Sequence, residues 1–189
     1  LFTAFDLETT GLNPQEDRIV EIGAVKFDRR GIISRFCVLV NPGVPMPVHA
    51  SAVNNITDAL LADKPPLAAV LPHFLWFIKG TSVIAHNTSF DCGFINESLK
   101  NMSRGNAQFT EQKPPFSALP NRIVDTIELA RKVFPDLHHY SLQALASFFK
   151  IDVKNAHHAE DDARVCMEIF IQCLSKLRSS ALDSSIPNV

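Results

Sequence analysis

Three strand-length apolar runs follow one another at the start of the chain: residues 2–7 (FTAFDL), 19–28 (IVEIGAVKFD) and 32–41 (IISRFCVLVN). A turn at Gly11-Leu12-Asn13-Pro14 ends the first, and Arg29-Arg30-Gly31 joins the second to the third as a hairpin. The spacing predicts a meander of three antiparallel strands. From Thr57 onward the pattern turns helical. Thr57 can cap a short helix ending near residue 62, and further helices are expected over residues 67–79, 89–100, 125–134, 141–149 and 159–177. Short apolar strands at 82–85 and 123–124 interrupt them, a Pro-rich loop covers 42–47, and a polar loop with Pro114, Pro115 and Pro120 covers 102–121. The predicted fold class is α/β: a mixed five-stranded sheet, three antiparallel strands and then two short strands, with helices packed on it. The 189 residues suit one domain, residues 1–177, with 178–189 as a flexible C-terminal tail.

Composition removes several classes. With 46% apolar and 20% charged residues the chain can bury a core, so a disordered protein is excluded. No apolar run reaches the ~18 residues of a membrane span. Eighteen basic and 20 acidic residues leave a net charge of −2, and no basic run exceeds two residues. Such a chain has no global attraction for duplex nucleic acid, and any polyanion must be met locally, with metal ions supplying positive charge. Cys37, Cys92, Cys166 and Cys173 form no C-x-x-C pair and read as reduced core thiols, which suits a reducing, cytoplasmic compartment.

Four carboxylates sit where a core would not place them. Asp6 and Glu8 are two apart on one strand and therefore share a face. A solvated strand end would also hold them, but two like charges on one face repel unless a cation lies between. Asp91 opens a helix whose apolar stripe is Phe94, Ile95 and Leu99, on the same azimuth as Asp91 itself. In the last helix, Val165, Cys166, Ile169, Phe170 and Cys173 follow Asp162 at helical spacing, whereas Glu168 and Gln172 follow Asp161. Asp162 is thus expected to face the sheet and Asp161 water. Compensation of the helix dipole is the alternative account of all three helix-start acids. Buried anions cost several kcal/mol each unless paired, and no Lys or Arg is obviously placed to pair with them. Two Mg²⁺ or Mn²⁺ would balance the four charges, and an all-carboxylate set favours such hard ions. Paired ions of this kind serve in-line phosphoryl chemistry. His157, in the loop before the last helix, could accept a proton from the attacking water, with His158 as the competing candidate and a surface role as the plain one.

FDLETTGL (residues 5–12), HNTSFDCGF (86–94) and HHAEDDA (157–163) resemble, in order, the three motifs of the DEDD exonucleases, specifically the histidine-bearing DEDDh branch and its DnaQ-like proofreading members. ARKVFP (130–135) and SLQAL (141–145) are similar to further stretches of that family, so the likeness extends over about residues 2–177. It implies a ribonuclease H-like fold. It places the metal-binding acids on Asp6, Glu8, Asp91 and Asp162, and the general-base histidine on His157. Asn54 stands where the family usually carries a histidine; it can hydrogen-bond a terminal nucleotide but carries no charge. Thr9, Leu12, Asn87 and Phe90 flank the acids and are candidate contacts to the last nucleotide, with core packing the alternative for Leu12 and Phe90; His49 is a further candidate. The implied activity is a metal-dependent 3′→5′ exonuclease hydrolysing single-stranded DNA ends to nucleoside 5′-monophosphates, with a polymerase subunit as an implied partner. An exoribonuclease or oligoribonuclease of the same branch acting on RNA, and a catalytically silent end-binding module, are the alternatives.

Overall fold

The computed structural model describes residues 1–103 and 116–183. Its five strands are β1 (Phe2–Thr9), β2 (Ile19–Asp28), β3 (Gly31–Leu39), β4 (Ser82–Ala85) and β5 (Ile123–Asp125). They form one sheet in the order β3-β2-β1-β4-β5. The pairs β1–β2 and β2–β3 are antiparallel, while β1–β4 and β4–β5 are parallel. This is the mixed sheet expected, with the meander on one side of β1 and the two short strands on the other. β1 is therefore the strand at which the connection changes direction, the place where open α/β sheets leave a crevice beyond the strand ends.

The helices are α1 (Val48–Asn54), α2 (Asp58–Leu61), α3 (Leu67–Ile78), α4 (Thr88–Ser103), α5 (Thr126–Val133), α6 (Leu142–Phe149) and α7 (Ala159–Asp183). Alternation along β1 divides them between two faces. Phe5 and Leu7 point to a core shared with Leu71 and Phe74 of α3 and with Phe94, Ile95 and Leu99 of α4. Ala4 points to the opposite core, where Val25, Phe27 and Ile84 meet Ala163, Cys166 and Phe170 of α7. The even positions Asp6 and Glu8 share the α7 face. α5 and α6 pack on the outer side of α7 through Ala130, Leu145 and Ile169. Thr57 caps α2 by accepting from the Leu60 amide, and Ser141 caps α6 by accepting from the Ala144 amide.

Several expectations needed adjustment. α1 was unforeseen: it starts after Pro47 without a side-chain cap and is only seven residues long. α7 runs through Asp183 instead of ending at residue 177, because Ser and Ala after Leu177 tolerate helix; residues 184–189 of the expected tail lie outside the described residues. Most of the 102–121 loop, residues 104–115, also lies outside them, and α4 takes Met102 and Ser103 into its last turn. Cys92, Cys166 and Cys173 are buried as foreseen, but Cys37 is exposed because β3 is an edge strand. No helix among the described residues is long and apolar enough to cross a membrane.

Candidate active site

The four acids converge from three elements at the end of β1. Asp91, in the first turn of α4, is 2% exposed, and its Oδ1 accepts a hydrogen bond from the Leu7 amide at 3.2 Å. That bond ties the carboxyl to the β1 residue that separates Asp6 from Glu8. Asp162, in the first turn of α7, is 5% exposed; its Oδ2 accepts from the His157 amide at 3.1 Å. Its Oδ1 is buried and has no hydrogen-bond partner among the described residues. Glu8, His157 and Asp162 each offer a donor atom, all within 4.8 Å of one another.

No described ion pair involves Asp6, Glu8, Asp91 or Asp162; the arginines engage Glu160, Asp161 and Glu168 instead. The described partners of the four acids are backbone amides and Asn54, and Asp6 and Glu8 also feel the charges of their acidic neighbours. Burial, and then the charges of Asp91, Asp162, Glu8 and Glu21, hold Asp6 well above the usual carboxylate range. Burial raises Glu8 from 4.5 to about 7, assisted by Asp162 and Glu21 and opposed by a hydrogen bond from Asn54. Asp91 and Asp162 are raised too, chiefly by burial. An orphaned carboxylate oxygen among unpaired, hard oxygen donors is the environment a divalent cation relieves.

Packing at the start of α7 makes this convergence possible. Gly23 of β2 stands opposite Asp6, and a Cβ there would lie 2.0 Å from the Ala159 carbonyl carbon and 2.1 Å from the Glu160 nitrogen. Only glycine lets the helix terminus rest on the strand, which brings Asp162 down beside Asp6. Glu21, opposite Glu8 and 3% exposed, accepts from the Ala159 amide at 3.0 Å and caps the same terminus. The strand register shifts between Glu8 and Thr9, a bulge that re-aims the strand at the site. His157 adopts a left-handed conformation, φ 61°, which turns the chain into α7.

A cleft of about 660 Å³ opens over these groups. Asp6, Glu8, Asp162 and His157 line it, as do the expected contacts Thr9, Leu12, His49, Asn54 and Phe90. Asp91, buried, is not among the residues that line it. Asn87 does not line it; its side chain accepts from the Ser89 hydroxyl, and its φ of 72° serves the turn into α4. Leu12 is 83% exposed, which excludes core packing for it. Phe90 packs against Phe94, ring centroids 5.1 Å apart and planes tilted by 58°, and also lines the cleft. Asn54 is buried and tied into the wall, its Oδ1 accepting from the Ile56 amide.

Three residues at the site escaped the sequence reading. Glu21 was one, although a lone acid inside an apolar strand was a visible signal. His86 lines the cleft; its Nδ1 meets the Thr126 hydroxyl at 2.8 Å, and its buried Nε2 has no partner among the described residues. Burial lowers the His86 pKa. Gln143 of α6 also borders the cleft, and no periodicity could have revealed that. Asp161 turned away from the sheet as expected, but not into water. It accepts from the Lys154 and Asn155 amides and pairs with Arg164, fixing the loop that delivers His157.

The family profile described as Exonuclease (RNase_T) matches residues 3–170. The chain is 49% identical over 171 residues to a DNA polymerase III subunit epsilon of Treponema pallidum, covering 89% of this chain and 74% of that one. It is 37% identical to a DNA polymerase III PolC-type of Caldanaerobacter subterraneus, covering 97% of this chain but 12% of that much longer protein. Among solved structures, Exonuclease X in complex with 5′ overhanging duplex DNA superimposes with a TM-score of 0.70 at 29% identity, over 93% of this chain and 92% of that one.

Proposed function

The chain belongs to the exonuclease family, and from that premise we propose a divalent-metal-dependent 3′→5′ exonuclease that hydrolyses the terminal phosphodiester of single-stranded DNA and releases nucleoside 5′-monophosphates. The observation that carries this reading is the meeting of four acids with no lysine or arginine paired to them among the described residues, one with an orphaned buried oxygen, at an open cleft. Asp6, Glu8, Asp91 and Asp162 would hold two Mg²⁺ or Mn²⁺. When bound, such ions supply Lewis-acid stabilisation to the phosphate as charge develops on its oxygens.

The chain's own residues do the rest. His157, exposed at the cleft mouth, takes the proton of the attacking water and passes it to solvent. The amide of His157 donates to Asp162, so the base and a metal-binding acid are fixed by one contact. The water attacks phosphorus in line, the P–O3′ bond breaks, and the freed 3′ oxygen of the shortened strand takes up a proton. Leu12 and Phe90 offer apolar surface to the last base, and Thr9 and His49 offer polar groups to its sugar and phosphate. Asn54 is neutral and committed to the wall, so it grips the 3′ end weakly. A polymerase subunit as partner rests on the names of the two relatives.

The test is incubation of the purified protein with 5′-labelled single strands, with Mg²⁺, with Mn²⁺ and with chelator. The expected result is a ladder shortening from the 3′ end in either metal, mononucleotide product and no cleavage in chelator. Internal cuts, or a matched RNA strand degraded faster than DNA, would contradict the reading.

A further inference from the structure

On the same face of the sheet as Asp6 and Glu8, one step towards β3, a second set of ligand-type side chains gathers around Glu21. Cys37 of β3 lies opposite Gly23, and its Sγ is 3.4 Å from Glu21 Oε1. His158 Nε2 lies 3.5 Å from the same oxygen. The three donor atoms fall within 4.8 Å of one another. We propose that Cys37, His158 and Glu21 form a zinc site adjoining the carboxylate cleft, with its own set of ligands.

The separations carry the argument. With Zn–S at about 2.3 Å and Zn–N and Zn–O at about 2.0 Å, tetrahedral angles place sulfur and oxygen about 3.5 Å apart, and nitrogen and oxygen about 3.3 Å apart. Both observed separations lie close to these values. The donor set also differs from that of the cleft: one thiolate, one imidazole and one carboxylate suit zinc, whereas four carboxylates suit Mg²⁺ or Mn²⁺. Glu21 is already oriented, because its other oxygen, Oε2, accepts from the Ala159 amide. Cys37 and His158 are exposed, so an ion and a fourth ligand from solvent can reach them.

Charge balances. Without an ion the thiol of Cys37 donates a hydrogen bond to Glu21. Binding releases that proton to solvent, and the thiolate and carboxylate then neutralise Zn²⁺. His158 adjoins His157, so an ion here would pin the loop that presents His157 to the cleft.

Cobalt substitution tests this with a signal the carboxylate cleft cannot give. The whole protein, in excess Mg²⁺, is titrated with Co²⁺. The expected result is a thiolate-to-cobalt charge-transfer absorption that saturates at one equivalent and disappears on adding Zn²⁺. Cys37→Ser should lose the absorption, His158→Gln should weaken Co²⁺ binding at least tenfold, and Asp6→Asn should leave the absorption in place. If Cys37→Ser does not fold, Cys37→Ala replaces it. No charge transfer in the wild type, its persistence without a free Cys37 thiol, or wild-type affinity in His158→Gln would overturn the proposal.

Discussion

Gly23→Ala should damage both the fold and the site through a single methyl group. The added Cβ would stand 2.0 Å from the Ala159 carbonyl carbon, where an ordinary contact is 3.4 Å or more, so the start of α7 must retreat by about 1.4 Å. The obstacle is backbone, and no side-chain rotation can relieve it. A retreat of that size breaks the 3.0 Å bond from the Ala159 amide to Glu21. Overpacking of this kind costs ~1–3 kcal/mol, and a buried donor left unpaired costs a further ~1–3 kcal/mol. A total of about 3 kcal/mol lowers Tm by roughly 6–12 °C for a domain of this size. Asp162 moves with the helix, and a misplacement near 1 Å costs ~10²-fold in rate. Thermal melts and single-strand degradation, assayed well below the variant's Tm, measure the two effects separately. Gly93→Ala is the matched control: its Cβ would meet only Pro14 Cγ at 3.7 Å, inside α4, so it should hold or raise Tm. If Gly23→Ala keeps wild-type Tm and rate, the packing argument for the site is wrong.

Asp6→Asn and Asp162→Asn should each nearly abolish exonuclease activity, yet raise the Tm of the metal-free protein by removing a buried carboxylate and, for Asp6, its repulsion from the neighbouring acids; a lower metal-free Tm in both would contradict the electrostatic reading. His157→Ala should lose far more rate than His158→Ala, and equal loss would mean that the wrong histidine carries the proton. Without metal, stability should fall as pH rises from about 4.5 to 7. The folded state there binds more protons than the unfolded chain, because Glu8 is raised from 4.5 to about 7. That shift is worth at most about 3 kcal/mol, and less where solvent reaches the carboxyl. Added Mg²⁺ or Mn²⁺ should reverse the loss, giving a larger metal-induced rise in Tm near pH 7.5 than near pH 5; an equal rise at both would refute it.

Periodicity carried most of the architecture. The runs at 19–28 and 82–85 coincide with β2 and β4, because apolar β-branched stretches bounded by turn residues leave little choice. The azimuth along the last helix separated Asp162 from Asp161 correctly, since Val165, Cys166 and Ile169 define the buried face. The failures have a common cause in tertiary contacts. α1 has neither a cap nor an acidic first turn and is held by the packing of Ala50 and Ile56 in a small cluster. Glu21 looked like one polar break in a strand, and its role became visible only when α7 arrived above it. Asp161 faced outward by azimuth, but the loop before α7 folds back over it. The need for glycine at position 23 could not be read from β2 alone, because the helix that forbids a side chain there begins more than a hundred residues later.

In the function proposed above, the acids of β1, α4 and α7 together would bind a pair of hard cations. Anomalous diffraction from crystals soaked in Mn²⁺ addresses it directly. The account predicts two peaks about 4 Å apart, bounded by Asp6, Glu8, Asp91 and Asp162. Mn²⁺ peaks confined to other surfaces, or none at a concentration that supports cleavage, would contradict it.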